Sequence, residues 1–198
     1  SGVQEFLEKK ESPGELRTFI NTFLGEPWVE QGEKPRIETL LSRERDYHIG
    51  TLPDNAEPLF VTIGADVQID RIECEVVAWG RHMESWSINY YVIPGDTEDL
   101  DSEAWQGLSE VIQGEHAGMG VYLAGVDAGY RTDVVYQFAD SFEKIVQPVM
   151  GYDELEKGAR YIKPTEVKGA MSYRIDINTD LLKQTVYRYL NKTKYEDG

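Results

Sequence analysis

The stretch IGADVQIDRIECEVVAWG, residues 63–80, decides the fold of this chain. Apolar and polar residues alternate on both sides of a short polar link at Ile69 and Asp70, which predicts two antiparallel strands joined by a tight hairpin. The first strand carries the carboxylate of Asp66 near its end, among residues suited to burial. A buried carboxylate is strongly destabilising unless it is paired, hydrogen-bonded or bound to a metal. We therefore expect Asp66 to have a partner elsewhere in the chain.

The alternating pattern continues around this hairpin and then gives way to a succession of helices and strands. Strands are predicted over 59–68, 71–80, 84–93, 120–127 and 144–150, and helices over 99–114, 132–142 and 180–190. Residues 120–127 are nearly all apolar, which is typical of a strand that is buried on both faces. Residues 151–173 are irregular and are interpreted as a loop or a small hairpin.

The order of these elements, β-β-β-α-β-α-β-α, predicts an α/β fold. Hairpins join the first three strands, and right-handed crossovers then place the fourth strand beside the first and parallel to it. The result is a mixed sheet, with three antiparallel strands followed by parallel strands and helices alongside. This is the order of elements in the ribonuclease H-like fold.

Composition indicates the domain organisation and excludes some classes of protein. Glycines and prolines separate short helical stretches in residues 1–57, so we predict an N-terminal arm there and one globular domain over 58–198. No apolar run approaches the roughly 20 residues that cross a bilayer, which indicates a soluble, intracellular protein without a membrane partner. Cys74 is the only cysteine, which excludes an internal disulfide and a cysteine zinc site.

The formal net charge of −16 argues by itself against nucleic-acid binding, since phosphate contacts depend on Lys and Arg. The charge is uneven, however, because residues 157–194 are locally basic. Charge alone favours a solvated C-terminal region here. The basic residues of that segment are Lys157, Arg160, Lys163, Lys168, Arg174, Lys183, Arg188, Lys192 and Lys194, against the acidic residues Glu166, Asp176 and Asp180.

A second carboxylate ends the fourth predicted strand, at Asp127. If the first and fourth strands are parallel neighbours about 4.8 Å apart, Asp66 and Asp127 lie at the same edge of the sheet. Ligands of open α/β sheets bind outside such carboxyl ends. Two carboxylates this close repel each other unless a divalent cation lies between them, and hard oxygen ligands favour Mg²⁺ or Mn²⁺. The pair therefore indicates a metal site.

A third carboxylate would allow two cations about 3.5 to 4 Å apart, the arrangement used in phosphodiester hydrolysis. Asp180 opens the last predicted helix and is our candidate, although an acid there also suits a helix N-terminus. Asp127 alone could equally be a turn residue. Asp176 remains an alternative third ligand, whereas Asp70 and Asp133 are interpreted as turn or cap residues.

Six segments in this order resemble one known family and cover nearly the whole chain. They are LRTFINTFLGEPW (16–28), RERDYHIGTLP (43–53), GADVQIDRIECEVVAWG (64–80), ESWSINYYVIPGD (84–96), GVDAGYRTDVVYQF (125–138) and INTDLLKQTVYRYL (177–190). The sequence resembles the lambda-like (GpA-type) large terminase subunits of tailed phages. In that family an ATPase domain drives DNA into the capsid and a ribonuclease H-like nuclease domain cuts the concatemer.

The resemblance implies a function for this chain. No GxxxxGK[ST] phosphate loop occurs, so the chain resembles the nuclease half, with the N-terminal arm similar to the tether from the motor. The family's metal-binding aspartates fall on Asp66 and Asp127, and its late acidic position falls on Asp180. The implied cofactors are two Mg²⁺ or Mn²⁺ ions, bridged by Asp66. The implied partners are double-stranded DNA, the terminase ATPase domain, the small terminase subunit and the portal or procapsid, in the host bacterial cytoplasm.

One difference from the family follows the second aspartate, where Gly and His are frequent and this chain has Ala-Gly-Tyr-Arg at 128–131. On the resemblance, weak intrinsic DNA affinity suits a nuclease that must not digest the genome it packages. A local basic strip would then contact phosphates. Its predicted members are Arg160, Lys163, Lys168, Arg174, Lys183 and Arg188.

Two other hypotheses are compatible with the same sequence. One is another ribonuclease H-like nuclease, such as a junction resolvase, which the N-terminal tether segment disfavours. The other is a catalytically silent docking module for portal or capsid, in which the carboxylates serve only as caps. Cleavage assays with and without Asp66 separate these hypotheses from a terminase nuclease.

Overall fold

The computed structural model describes residues 47–142, 144–155, 161–170 and 173–191. Most of the predicted N-terminal arm, residues 1–46, lies outside these ranges. The described chain belongs to two compact units that divide between Thr179 and Asp180. The unit that ends at Thr179 contains the whole β-sheet and the first two helices, and it is considered first.

Eight strands and three α-helices are described, together with a short 3₁₀ turn at Arg81–Met83. The strands are β1 (Phe60–Val67), β2 (Arg71–Trp79), β3 (Ser85–Pro94), β4 (Glu115–His116), β5 (Met119–Asp127), β6 (Val146–Tyr152), β7 (Ile162–Thr165) and β8 (Arg174–Asn178). The helices are α1 (Glu103–Gln113), α2 (Thr132–Asp140) and α3 (Thr179–Asn191).

The strands form one mixed sheet in the order β3-β2-β1-β5-β6-β8-β7, with β4 paired to β5 at its side. Strands β1, β2 and β3 are antiparallel neighbours, whereas β1–β5, β5–β6 and β6–β8 are parallel pairs. The prediction of a mixed α/β sheet with the first strand beside the strand that ends at Asp127 is confirmed. This topology agrees with a ribonuclease H-like fold.

The core lies on one face of the sheet, against α1 and α2. Alternate residues of β1, beginning with Val61, are buried, as period two requires. From the helices, Trp105 and Leu108 of α1 and Phe138 of α2 are buried, and the rings of Trp105 and Phe138 are 4.8 Å apart. Each such side chain contributes roughly 1.5 to 3 kcal/mol by its removal from water, so this face holds the fold together.

The opposite face of the sheet differs from the expectation in two respects. Residues 120–127 were expected to be buried on both faces, but the side chains of Tyr122 and Leu123 are 71% and 38% exposed. Asp66 is also exposed, because its neighbours Ala65 and Val67 take the buried face and alternation turns the carboxylate to the other side. Asp66 is thus open to solvent, and the expectation that burial requires a partner for it is wrong.

One helix boundary was also predicted incorrectly, and one strand was missed. Helix α1 begins at Glu103 rather than near Asp99, because Asp99 accepts hydrogen bonds in a preceding turn: its carbonyl oxygen from the Ser102 N–H and its Oδ1 from the Asp101 N–H, each at 3.0 Å. Strand β8 was not predicted, although residues 151–173 were allowed a small hairpin. In the structure β7 pairs antiparallel with β8, which extends the sheet beyond β6.

Candidate metal centre

The register of β1 and β5 places Asp66 and Asp127 side by side. Gly64 is paired with Gly125 and Ala65 with Val126, so Asp66 and Asp127 are the next residues along two adjacent parallel strands. Because Ala65 and Val126 both take the buried face, the next residue of each strand turns to the opposite face. The structure thus brings the two predicted carboxylates together on one face, at the carboxyl end of both strands.

Each carboxylate is held by a residue that follows it closely in the chain. The side-chain amide of Gln68 donates to Asp66 Oδ2 at 2.5 Å, and the Gly129 N–H donates to Asp127 Oδ1 at 3.0 Å. These bonds orient the carboxylates, and each carboxylate has further lone pairs. Such hard oxygen donors fit Mg²⁺ or Mn²⁺. Among the residues the structure describes, no group of three or more His, Cys, Asp and Glu side chains is arranged to hold a metal.

Glu73 is a third acidic residue on this face, and the sequence interpretation overlooked it. It is paired with Asp66 across the β1–β2 hairpin. Its carboxylate accepts hydrogen bonds from Tyr90 and from Arg71 Nε, and these bonds lower its pKa. Counting the register back from the two-residue link would have placed Glu73 opposite Asp66. Glu73 therefore remains ionised on the same face as Asp66, with its charge paired to Arg71.

Asp176, the alternative third ligand, faces away from Asp66 and Asp127. Asp127 is in register with Val149, and Val149 with Ile175, so the next residue, Asp176, turns to the other face of the sheet. There it is 6% exposed and accepts hydrogen bonds from Arg174 Nε at 2.6 Å and Thr165 Oγ1 at 2.7 Å. Asp176 therefore forms an ion pair with Arg174 on the face of the sheet opposite to Asp66 and Asp127.

The pKa of Asp176 reflects this pairing. Burial raises the pKa, but the hydrogen bonds from Arg174 and Thr165 lower it by more, so the pKa is below its usual value. The same pair raises the pKa of Arg174, whose guanidinium also reaches Tyr152 Oη at 3.2 Å. The carboxylate is thus kept ionised inside the protein.

Asp180 lies in the first turn of α3, as predicted, and belongs to the second compact unit. Its role as the third ligand remains a prediction. Of the turn or cap candidates, Asp70 lies in the β1–β2 link and pairs with Arg71 at 2.9 Å, and Asp133 lies in the first turn of α2. Both positions agree with the interpretation of turn and cap residues.

The predicted basic strip is distributed over both units. Lys163 and Arg174 lie on β7 and β8, and Lys168 is exposed in the segment between these strands. Lys183 and Arg188 are exposed on α3, in the second unit, and Arg160 lies outside the described residues. The DNA contacts of all six residues remain predictions, and Arg174 already has the structural partner described above.

A sequence model of the family "Terminase large subunit gpA, endonuclease domain" matches residues 2–198. This chain belongs to that family. It is 37% identical over 203 residues to the large terminase subunit of Escherichia phage lambda, covering 98% of this chain and 31% of that protein. It is 26% identical over 191 residues to the large terminase subunit of Enterobacteria phage P21, covering 93% of this chain and 29% of that protein.

The chain spans about a third of the length of these two terminase subunits. No solved structure matches it. Among the described helices of this terminase domain, none is long and apolar enough to cross a membrane.

The single cysteine, Cys74, is 1% exposed, and burial raises the pKa of its thiol to about 11, which leaves it protonated near neutral pH. The thiol is therefore part of the core.

Proposed function

We propose that this chain is a metal-dependent DNA endonuclease that cuts concatemeric viral DNA during packaging, by two-metal phosphodiester hydrolysis. The observation that carries the proposal is the placement of Asp66 and Asp127 side by side at the carboxyl ends of β1 and β5. Membership of the terminase endonuclease-domain family supports the reaction class. The acidic pair supports metal dependence, since a divalent cation between two adjacent carboxylates relieves their mutual repulsion.

The proposed mechanism assigns a role to each aspartate. Asp66 and Asp127 would hold the divalent cations, and Asp180 is the predicted third ligand. When bound, the two ions activate the attacking water and stabilise the leaving oxygen of the phosphodiester. The protein contributes orientation: hydrogen bonds from Gln68 and Gly129 hold the carboxylates of Asp66 and Asp127.

The proposed substrate is double-stranded DNA, which a net charge of −16 repels on balance. Contact with phosphates would fall to the local basic strip, above all to the exposed cations Lys168, Lys183 and Arg188. The proposed partners are the ATPase domain of the terminase, the small terminase subunit and the portal or procapsid, in the host bacterial cytoplasm. Such partners would hold DNA at a surface that binds it weakly.

The test is a plasmid-cleavage assay with Mn²⁺ or Mg²⁺, repeated with EDTA and with Asp66→Asn. We expect nicking and linearisation with either metal, no cleavage in EDTA, and a loss of about 100-fold or more in Asp66→Asn. The matched control is Asp70→Asn, in the same hairpin but paired with Arg71, which should keep wild-type activity.

The outcomes of this assay separate the competing hypotheses. Cleavage that survives Asp66→Asn would remove the site assignment, and a chain inactive with every metal would instead support the docking module. Asp180→Asn and Asp176→Asn distinguish the two candidate third ligands. We expect Asp180→Asn to lose cleavage activity with an unchanged melting temperature. We expect Asp176→Asn to have a lower melting temperature than the unaltered chain.

A further inference from the structure

The loops that follow Asp66 and Asp127 are connected by a third segment of the chain. Thr97 lies between β3 and α1 and is fully buried. Its hydroxyl donates to the main-chain oxygen of Gln68 at 2.7 Å, directly beyond the end of β1. The Thr97 hydroxyl oxygen in turn accepts a hydrogen bond from Arg131 Nε at 3.4 Å, and Arg131 lies directly before α2. Thr97 therefore links the exit of β1 to the exit of β5.

Arg131 is fixed in this position by two further contacts. Its guanidinium forms an ion pair with Glu98 and lies 4.5 Å from the centroid of the Tyr130 ring. The Arg131 side chain is only 19% exposed, which strengthens both interactions relative to a fully solvated arginine. We call Thr97, Glu98 and Arg131 the Arg131 clasp.

Both candidate ligands are bonded to the loops that this clasp connects. Gln68, whose main chain is bonded to Thr97, also donates its side-chain amide to Asp66. Gly129, two residues before Arg131, donates its N–H to Asp127. Hydrogen bonds through Gln68, Thr97 and Arg131 thus link one carboxylate to the loop that holds the other.

We propose that Arg131 is a positioning residue of the candidate metal centre, which keeps Asp66 and Asp127 at the separation that a shared divalent cation requires. The proposal rests on the proposed function. Mg²⁺ demands near-ideal octahedral geometry, so small changes in the separation of two ligands weaken binding. Groups beyond the ligands are worth about 10- to 100-fold in metal affinity when they orient them.

The first test measures Mn²⁺ binding directly, by isothermal titration calorimetry in the absence of DNA. We expect Arg131→Ala to weaken Mn²⁺ binding about tenfold. Arg131→Lys should restore part of the affinity, because the ammonium keeps the charge facing Glu98 but lacks the planar fork. The matched control is Arg81→Ala, an exposed arginine in the turn between β2 and β3, which should bind Mn²⁺ as the unaltered chain does.

Thr97→Val is the second variant and guards against a folding defect in Arg131→Ala. It removes the hydroxyl that joins both loops with little change in volume, and circular dichroism reports whether each variant is folded. A folded Thr97→Val with weakened Mn²⁺ binding supports the clasp. Unchanged affinity in Arg131→Ala, or in a folded Thr97→Val if Arg131→Ala does not fold, would overturn the inference.

Failure of the inference is distinguishable from failure of the proposed function. If the unaltered chain binds Mn²⁺ and cleaves DNA while both clasp variants bind equally well, only the positioning role is wrong. If the unaltered chain binds no Mn²⁺ and cleaves no DNA, the metal centre itself is wrong and the positioning role is overturned with it.

Discussion

At the scale of single residues, Gly129 leaves just enough room for the Asp127 carboxylate. A Cβ at position 129 would lie 3.2 Å from Asp127 Oδ1 and 3.5 Å from Oδ2, closer than ordinary packing for the first atom. We expect Gly129→Ala to rotate this carboxylate and to reduce Mn²⁺-dependent cleavage about tenfold with little change in melting temperature. The control is Gly120→Ala on β5, the strand that carries Asp127, where a Cβ meets nothing within 4 Å. Equal activity in both variants would contradict this reasoning.

Asp176 is a residue whose charge stabilises the fold. Its folded pKa is below the unfolded value near 3.9, so its contribution is complete above that pH and is lost as pH falls through the folded pKa. We expect Asp176→Asn to lower the free energy of unfolding by about 3 kcal/mol at pH 7, since it leaves Arg174 without its charged partner.

Urea unfolding at several pH values checks this expectation. The difference in unfolding free energy between the unaltered chain and Asp176→Asn should shrink as pH falls below about 4, because the protonated acid resembles the amide. A difference that stays constant down to pH 2.5 would show that Asp176 stabilises the fold by something other than its charge.

At the scale of elements, α1 anchors the sheet through its buried side chains. Leu108 is fully buried between the helix and the sheet, so Leu108→Ala should lower the free energy of unfolding by about 3 kcal/mol, through lost contacts and a residual cavity. Glu110→Ala, on the exposed side of the same helix, should change it by less than about 0.5 kcal/mol. Chemical denaturation of both variants makes the comparison, and equal losses would argue against this packing.

Some of these elements could be predicted from the sequence alone and others could not. Period-two alternation and a two-residue link are local signals, so β1 and β2 could be predicted. The order of the elements then predicted that Asp66 and Asp127 lie on neighbouring strands. Strand β8 is five residues long and carries the charged Asp176 on its buried face, so its sequence resembles a polar loop. Burial of Asp176 is possible because Arg174 pairs with it, and this contact is visible only in the structure. The contact of Thr97 with Arg131 spans 34 positions and leaves no local pattern at all.

At the scale of the whole molecule, the net charge of −16 predicts weak DNA binding. Four predicted contact residues lie within the described ranges apart from Arg174: Lys163, Lys168, Lys183 and Arg188. If each neutralises one phosphate, log K should fall with log salt at a slope of about −3.6, or about 100-fold in affinity between 50 and 200 mM.

Fluorescence anisotropy with a labelled duplex in EDTA measures this slope, and the charge-reversal variant Arg188→Glu should reduce its magnitude by about one. Glu110→Lys is the control, because it adds a cation on α1 at a position that is not a member of the predicted strip, and it should leave the slope unchanged if DNA follows that strip. A slope steeper than about −6 would require phosphate contacts that the basic strip cannot supply. Tight binding at physiological salt would likewise contradict the idea that partner domains hold the DNA for an acidic nuclease.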